Sequence, residues 1–288
     1  MKKLLIAATI AITAVTSACA TTSVTPDQDT YAANKATVKA GIMGAFADHD
    51  PSTVDKYFAD PYIQHNPLAP SGVAVLRGMV GKMSKGPKGG VTFHRMIADG
   101  DLVATHATYT GFGPVPLVAM DVFRFNKDGK IVEHWDNMIP VAKPNPSGRT
   151  QTDGATEITD LDKTAANKAK VSDFITRSMI NHEKIDITKY ISPVTYLQHN
   201  PEVADGLKGF GAFMGELKKK GITMEYSKLH KVIGEGNFVM TLSEGSFAGK
   251  PTAFYDLFRL ENGLIVEHWD VIADMPSGKL PEGYPGKF

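Results

Sequence analysis

The fold is decided by a stretch that the chain carries twice: DVFRFNKDGKIVEHWD at 121–136 and DLFRLENGLIVEHWD at 256–270. Three other blocks recur in the same order, with offsets between 133 and 136 residues: AANKA at 32–36 and 165–169, YIQHNP at 62–67 with YLQHNP at 196–201, and FHRMIADGD at 93–101 with LHKVIGEGN at 229–237. Chance does not keep four blocks in order at a nearly constant offset. The chain is therefore a tandem duplication.

The repeat predicts two domains, at 30–141 and 163–275. Residues 142–162 between them are rich in Pro, Gly, Thr and Asp, and this composition predicts an exposed linker. In each copy, runs with helical spacing come first, and strand-like runs separated by turn residues follow. Helices followed by an antiparallel meander predict an α+β domain.

The first twenty residues are typical of a secretory signal peptide. Lys2 and Lys3 precede an apolar run at 4–15, and Ala18-Cys19-Ala20 resembles a cleavage site. This predicts export, to a periplasmic or a secreted location. A second interpretation is that Cys19 is a lipidated cysteine that anchors the protein to a membrane as a lipoprotein. Because Cys19 is the only cysteine, no disulfide or thiol nucleophile is expected in the folded part.

Composition and spacing argue against several classes of partner. Lys+Arg and Asp+Glu number 31 each, and no basic run is interleaved with aromatic residues, so nucleic acid is not an expected partner. The histidines lack the close spacing of common metal sites, and no Gly-rich phosphate loop follows a strand. We therefore expect no metal and no cofactor.

The repeated stretch predicts a β-hairpin with Asp121 opposite His134, and Asp256 opposite His268. This register closes the first hairpin with a four-residue loop and the second with a three-residue loop, Glu261-Asn262-Gly263. A two-residue turn at Asn262-Gly263 is the alternative, and we reject it because it breaks the match between copies. One face of the first hairpin then carries Asp121, Phe123, Phe125, Val132, His134 and Asp136, and the other carries Val122, Arg124, Ile131, Glu133 and Trp135.

An aspartate among phenylalanines is costly to bury, and burial raises the pKa of a carboxyl group. Such a carboxylate in contact with an imidazole can take and return a proton near neutral pH. The alternative is that the Asp–His contact only fixes strand pairing. Side chains on either side of the QHN strand could line a pocket, so Gln64 and His65, with their counterparts Gln198 and His199, are candidate ligand-binding residues.

The motifs YxQHNP and DxFRF…IVEHWD together resemble the SnoaL-like polyketide cyclase group of the NTF2-like superfamily, in both copies. The resemblance implies two tandem cone-shaped domains, each a curved antiparallel sheet wrapped around helices and an apolar pocket. It also implies cofactor-free aldol condensation with a pocket aspartate as general acid/base, which corresponds to Asp121 and Asp256. The family's histidine falls near His106; the second copy has Leu242 there and offers Tyr255 instead. Domains of this kind dimerise through their sheets, so we expect the copies to form an intramolecular pseudo-dimer along the Arg/Glu/Trp face.

We therefore expect an exported, cofactor-independent enzyme that acts on a small apolar or carbonyl-containing molecule by aldol-condensation or isomerase chemistry. Asp121 and Asp256 would be the acid/base residues, and His134 and His268 would orient them. His106 or Gln64 would stabilise the enolate oxygen. The alternative is a non-catalytic periplasmic module that binds a small ligand or serves as a structural element.

Overall fold

A computed structural model describes residues 28–83, 86 and 88–288. The predicted signal peptide and Cys19 lie outside the described residues. Within the described part, no helix combines the length and the apolar character needed to cross a membrane.

The first copy begins with helices and continues as a five-stranded sheet. Its helices are α1 (Gln28–Ile42), extended by a π-helical turn at Met43–Ala47, α2 (Ser52–Tyr57) and α3 (Val73–Met83). Its strands are β1 (Phe58–Gln64), β2 (Gly90–Asp99), β3 (Leu102–Thr110), β4 (Leu117–Phe125) and β5 (Ile131–Pro140). The sheet order is β1-β5-β4-β3-β2, in which only β1 runs parallel to its neighbour.

The second copy repeats this layout. Its helices are α4 (Thr164–Phe174), extended by a π-helical turn at Ile175–Ile180, and α5 (Gly206–Lys219), and a 3₁₀ turn at Ile187–Lys189 lies between them. Its strands are β6 (Leu197–Gln198), β7 (Met224–Glu235), β8 (Phe238–Phe247), β9 (Lys250–Glu261) and β10 (Leu264–Asp274). The order β6-β10-β9-β8-β7 matches that of the first sheet. The predicted α+β class is therefore confirmed, with two sheets that each pack against helices.

In each copy the helices cover one face of the sheet. In α1, Tyr31, Val38 and Ile42 recur at helical spacing and are buried in one core with Phe123 and Phe125 of the sheet. In the second copy, Val171 and Phe174 of α4 are buried in the same way with Phe258. Apolar burial of this kind is worth roughly 1.5–3 kcal/mol for each large side chain.

The predicted hairpin register is wrong by two residues. Asp121 lies opposite Asp136, and His134 lies opposite Phe123. In the second copy Asp256 lies opposite Asp270. Because side chains alternate with a period of two, this slip leaves the aspartate and the histidine on the same face of the sheet.

The rejected two-residue turn forms in the second copy. Asn262 and Gly263 both have positive φ, at 51° and 74°, as a type I′ hairpin turn requires, and Glu261 pairs with Leu264. A β-bulge between Ile265 and Glu267 then restores the match with the first copy, which has a bulge of its own before Glu133. The first bulge also moves Ile131 to the helix-covered core, whereas we predicted it on the opposite face.

Most residues of the segment that connects the copies are exposed, but the segment is also anchored at two buried positions. Asn145 and Gln151 are each only 5% exposed. The Asn145 amide donates to the carbonyl oxygens of Gln198 and Val203, at 2.5 and 2.8 Å. The segment therefore lies along the second copy as a strap, anchored by buried hydrogen bonds. The predicted domain boundaries themselves stay a prediction.

A second hydrophobic core lies between the two sheets and draws residues from both copies. It includes Trp135 and Trp269 together with Val122 and Leu257. Beside it, two ion pairs cross between the copies at equivalent positions. Lys35 of α1 pairs with Glu235, and Lys168 of α4 pairs with Asp99. At the offsets of the repeat, Lys168 corresponds to Lys35 and Glu235 to Asp99.

Candidate functional site

A cavity of about 240 Å³ opens in the first copy between the curved sheet and the helices. Its wall is mostly apolar, and Leu68, which is 88% exposed, stands at its rim. The polar side chains that line it are Gln64, Asn66, Tyr109, Asp121, His134 and Asp136. A small-molecule site usually consists of an apolar cavity with a small number of polar groups that point into it.

Asp121 is the most enclosed of these groups, at 1% exposure. Its Oδ1 lies 3.1 Å from His134 Nε2. Its Oδ2 accepts hydrogen bonds from the Tyr109 hydroxyl at 3.1 Å and the Thr105 hydroxyl at 3.2 Å. The partners of the carboxylate thus come from the two strands on either side of β4, and the sheet fixes their positions.

The hydrogen bonds of Gln64 determine how His134 is protonated. The Asn66 backbone N–H donates to Gln64 Oε1 at 3.0 Å, which identifies this atom as the amide oxygen. His134 Nδ1 lies 3.0 Å from the same oxygen and must therefore carry a proton. His134 Nε2 then either accepts from a protonated Asp121 or donates to an ionised one, so one proton is shared between the two side chains.

A second carboxylate lies beside this pair. Asp136 is the cross-strand neighbour of Asp121, and its Oδ2 accepts from Asn66 Nδ2 at 2.7 Å. Burial raises the pKa of Asp121, the hydrogen bond and charge of His134 lower it, and the charge of Asp136 raises it again, with a net rise. Two carboxylates that share a buried site do not ionise equally, and this is a common device for general acid/base residues.

The second copy repeats the polar arrangement. Asp256 Oδ1 lies 3.1 Å from His268 Nε2, and Asn200 Nδ2 donates to both oxygens of Asp270, at 3.0 and 2.8 Å. Burial first, and then the charge of Asp256, raise the pKa of Asp270 to about 6. Burial lowers the pKa of His268, but the hydrogen bond to Asp256 and the charges of both carboxylates outweigh this, so its pKa is raised.

The second cavity, however, has a volume of only about 50 Å³. A water molecule occupies about 30 Å³ in the liquid, so this space holds little more than one or two waters. At the offsets of the repeat, Gly41 becomes Phe174 and Met79 becomes Phe213, and both rings line the second cavity. Both substitutions place a larger aromatic side chain in the wall of the second cavity.

The tyrosine that contacts the aspartate comes from a different strand in each copy. In the first copy Tyr109 is on β3 and pairs with Val91 on β2. In the second copy the equivalent pair is Gly245 on β8 and Tyr226 on β7, and the Tyr226 hydroxyl lies 3.3 Å from both oxygens of Asp256. The tyrosine and its partner have thus exchanged strands between the copies, and the tyrosine hydroxyl contacts the equivalent carboxylate in each copy.

Some predicted site residues lie elsewhere. His65 is on the opposite face of the sheet, where its ring stacks on Trp135 at 4.7 Å and its Nε2 lies 2.9 Å from Glu133 Oε1. His199 stacks on Trp269 and contacts Glu267 in the same way. The expectation that these two histidines reach a pocket is wrong, because alternation along the QHN strand directs them away from Gln64 and Gln198.

His106 and Tyr255 also face away from the carboxylates. His106 accepts a hydrogen bond from Arg95 through Nδ1 at 3.1 Å and approaches Trp269 of the second copy. Burial, and then the charge of Arg95, hold its pKa well below the usual value of 6.5. Tyr255 directly precedes Asp256 in its strand, so its side chain points to the opposite face, where it is buried in the core between the sheets. Neither can stabilise an enolate beside Asp121 or Asp256.

Sequence reasoning missed the tyrosines that contact Asp121 and Asp256. It gave Asp136 only a place on the pocket face, and it did not single out Asp270. Asp136 and Asp270 end the repeated IVEHWD, and that repetition was an available signal. Tyr109 has glycine as its counterpart, so the repeat hides it. The roles predicted for Asp121, His134, Asp256, His268, Gln64 and Gln198 stay predictions, although the structure brings the members of each copy together.

In each copy the Asp, His and Asp donor atoms lie within 4.8 Å of one another, close enough to surround an ion. In the first copy, however, both ring nitrogens of His134 already face Gln64 and Asp121. The ring of His134 therefore has a hydrogen-bond partner at each nitrogen in this arrangement.

The fold and site together define an α+β domain with a curved sheet and a carboxylate at the base of an apolar cavity. Residues 40–134 match the family model of the SnoaL-like domain, which supports the predicted resemblance in the first copy. No curated protein matches the chain.

Among solved structures, the chain is similar to an LEH-like epoxide hydrolase of M. tuberculosis, with 24% identity over 38% of this chain and 84% of that one, and a TM-score of 0.34. It is similar to a steroid delta-isomerase of Pseudomonas aeruginosa, with 24% identity over 38% and 81% of the two chains and a TM-score of 0.30. TsrD of Streptomyces laurentii is 20% identical over 37% and 88%, with a TM-score of 0.32. Likenesses of this extent do not define an activity.

Proposed function

We propose that the first copy is a cofactor-independent enzyme in which Asp121 acts as general acid/base on a small carbonyl compound. The observation that carries the proposal is the cavity of about 240 Å³ with the buried Asp121–His134 pair in its wall. A carboxyl group whose pKa is raised toward neutrality is a better base at physiological pH than an exposed one. The apolar wall suits a substrate with little charge.

In the proposed reaction, Asp121 reacts in its ionised form, with the shared proton on His134 Nε2, and removes a proton from the carbon next to the carbonyl group. The C–H electron pair forms the enolate, and the negative charge moves to the carbonyl oxygen. Burial raises the pKa of Tyr109, so its phenol stays protonated. Once Asp121 carries the proton, the Tyr109 hydroxyl is released to donate to the enolate oxygen. Asp121 then returns the proton to another carbon, or the enolate carbon attacks a second carbonyl of the same molecule.

His134 and Gln64 have positioning roles in this scheme. His134 holds Oδ1 of Asp121, and Gln64 fixes the protonated nitrogen of the ring. Phe123 stacks on the His134 ring at 4.6 Å and restricts its rotation. A base held in this way loses little entropy when the substrate binds.

The test uses a panel of β-diketones and cyclic enones in D₂O, with exchange and isomerisation followed by proton NMR. The matched variants are Asp121→Asn and Asp256→Asn. We expect Asp121→Asn to slow exchange about 100-fold or more, the usual contribution of a general base, and Asp256→Asn to change it less than about twofold. Exchange at the wild-type rate in Asp121→Asn would overturn the proposal.

A second function is favoured for the second copy alone. Its cavity of about 50 Å³ excludes an organic substrate, so we propose that this copy is a non-catalytic module that supports the first. Widening the cavity with Phe174→Gly, which restores the residue of the first copy, tests this. Turnover that remained after Asp121→Asn and disappeared after Asp256→Asn would contradict it.

We further propose that the two copies form an intramolecular pseudo-dimer. The reciprocal Lys35–Glu235 and Lys168–Asp99 pairs have the pattern of an isologous interface, in which each contact occurs twice. Sedimentation velocity of the intact chain should give the frictional ratio of one compact particle. A ratio typical of two separate domains on a flexible connection would argue against it.

Export also stays a proposal. Expression of the full sequence in a bacterial host, followed by fractionation and mass spectrometry of the N-terminus, tests it. A chain that begins at Thr21 supports simple cleavage, and a lipid-modified Cys19 supports the anchored form. Retention of Met1 in the cytoplasmic fraction would overturn both.

A further inference from the structure

The C-terminal tail of the second copy crosses to the first copy and ends beside its carboxylate pair. Gly286 O lies 2.7 Å from His65 Nδ1, and the Tyr284 hydroxyl donates to the His65 carbonyl oxygen at 3.1 Å. Phe288 stacks on the His230 ring at 4.1 Å. The last five residues of the tail are thus held at both ends. Lys287 lies between Gly286 and Phe288.

Lys287 is only 8% exposed, which is unusual for a lysine. Its Nζ donates to the backbone carbonyl oxygen of Asp136 at 2.5 Å and lies 3.8 Å from Asp136 Oδ1. A buried ammonium group is costly unless an opposite charge is close. In the described part of the chain, Asp136 is the carboxylate that forms an ion pair with it.

In the second copy the residue that corresponds to Lys287 is uncharged. There the connecting segment supplies the matching contact, with Thr150 O 2.8 Å from His199 Nδ1. The residue after Thr150 is Gln151, as Lys287 follows Gly286. Gln151 is also buried, and its Nε2 has no hydrogen-bond partner among the described residues. The two straps are therefore alike in their contact with the histidine, and they differ in that Lys287 has an uncharged counterpart. The second strap also brings the Asp153 carboxylate to 2.7 Å from His199 Nδ1.

We propose that Lys287 is a positioning residue of the first site: its ammonium group keeps Asp136 ionised, so that the proton of the carboxylate pair resides with Asp121 and His134. This deepens the proposed function and depends on it for its catalytic meaning. The pKa values agree with this arrangement. In the second copy, where Gln151 stands in the place of Lys287, burial raises the pKa of Asp270 to about 6, whereas in the first copy burial raises the pKa of Asp121.

Other groups also act on this pair. The titratable side chains that interact with Asp121 or Asp136 from the surrounding elements are Tyr62, Tyr109, His134, Tyr255, Tyr284 and Lys287. The four tyrosines have pKa values raised by burial and are neutral near pH 7. Burial lowers the pKa of Lys287, and the charges of Asp136 and Asp121 raise it in part.

The experiment uses the full chain labelled with ¹³C-aspartate. NMR follows the chemical shifts of the aspartate carboxyl carbons across pH 4–9. Asp136→Asn and Asp270→Asn identify the two signals. In Lys287→Gln, which reproduces the second strap, we expect the titration midpoint of Asp136 to rise by about one to three pH units. The midpoint of Asp270 should not move, and Lys287→Arg should keep the wild-type behaviour.

An unchanged Asp136 midpoint in folded Lys287→Gln would overturn the inference. If that variant does not fold, Lys287→Met gives the same test, because it removes the charge and keeps an unbranched apolar side chain at this buried position. An unmoved Asp136 midpoint there would equally overturn the inference. Neither measurement needs turnover, so failure of the proposed enzyme activity in Asp121→Asn remains a separate result.

Discussion

Asp270 provides the sharpest test of how these buried carboxylates are protonated. In the folded chain the pKa of Asp270 is raised from 3.8 to about 6, chiefly by burial. A pKa that is higher in the folded state means that the folded chain binds the proton more tightly. The stabilisation is fully present below the unfolded value and is lost as the pH rises through about 6.

The size of this effect follows from the shift. A rise of about two pH units, at about 1.4 kcal/mol for each, corresponds to about 3 kcal/mol of unfolding free energy. Asp270→Asn replaces the carboxyl group by a neutral amide of the same shape and removes the dependence. We therefore expect the unfolding free energy of the wild type, minus that of Asp270→Asn, to fall by about 2.5 kcal/mol between pH 4 and pH 8, because part of the full effect is already lost at pH 4.

The assay is urea unfolding at several pH values, followed by tryptophan fluorescence, since Trp269 lies next to Asp270 in β10. The matched control is Asp274→Asn, an exposed position in the same strand. His268 titrates together with Asp270, so the difference between wild type and variant belongs to the pair. If wild type and Asp270→Asn lose stability in parallel across this range, Asp270 is ionised in the fold at its ordinary pKa and the reasoning fails.

Three further predictions concern stability. Because burial holds the pKa of His106 well below 6.5, wild-type stability should be lost as the pH falls below 6.5. In unfolding curves at pH 4.5 and 7.5, His106→Leu should lose less stability than the wild type. An equal loss in the wild type and in His106→Leu would contradict this. The buried Asn137 amide donates to two backbone carbonyls of the second copy, so Asn137→Ala should cost about 3 kcal/mol in urea unfolding, and a loss under about 0.5 kcal/mol would show that water replaces both bonds. A Cβ on Gly245 would lie 1.9 Å from a backbone oxygen, so Gly245→Ala should lower the melting temperature. Gly78 lies in helix α3 with open space around it, so Gly78→Ala should instead raise stability by about 0.5–1 kcal/mol. Similar melting curves for the two variants would refute the packing argument.

Sequence alone predicted the duplication, the α+β class and the face on which Asp121 and His134 meet. The face survived a register error because a slip of two residues preserves the alternation of side chains. The bulges after Ile131 and Ile265 could not be predicted, since valine occupies the bulged position in both copies and gives no local signal. Bulges of this kind are selected by the sheet as a whole and by the turn it must accommodate.

The position of His65 shows a second limit. The sequence left both faces of the QHN strand open, and the partners that His65 finds on its face include a tail more than 200 residues away in the chain. Tyr109 shows a third limit, because its ring moved to the neighbouring strand in the second copy and so left no repeat to recognise. Both features depend on long-range contacts that no local pattern encodes.

The crossing of the C-terminal tail has a consequence for how the first site responds to dilution. If a separate molecule supplied the tail, the fraction of first sites with a bound tail would fall as the protein concentration fell. Here the tail belongs to the same chain as Asp136, and the covalent connection fixes its effective concentration. Lys287 therefore stays beside Asp136 at any protein concentration, and the state of the carboxylate pair is a property of a single molecule.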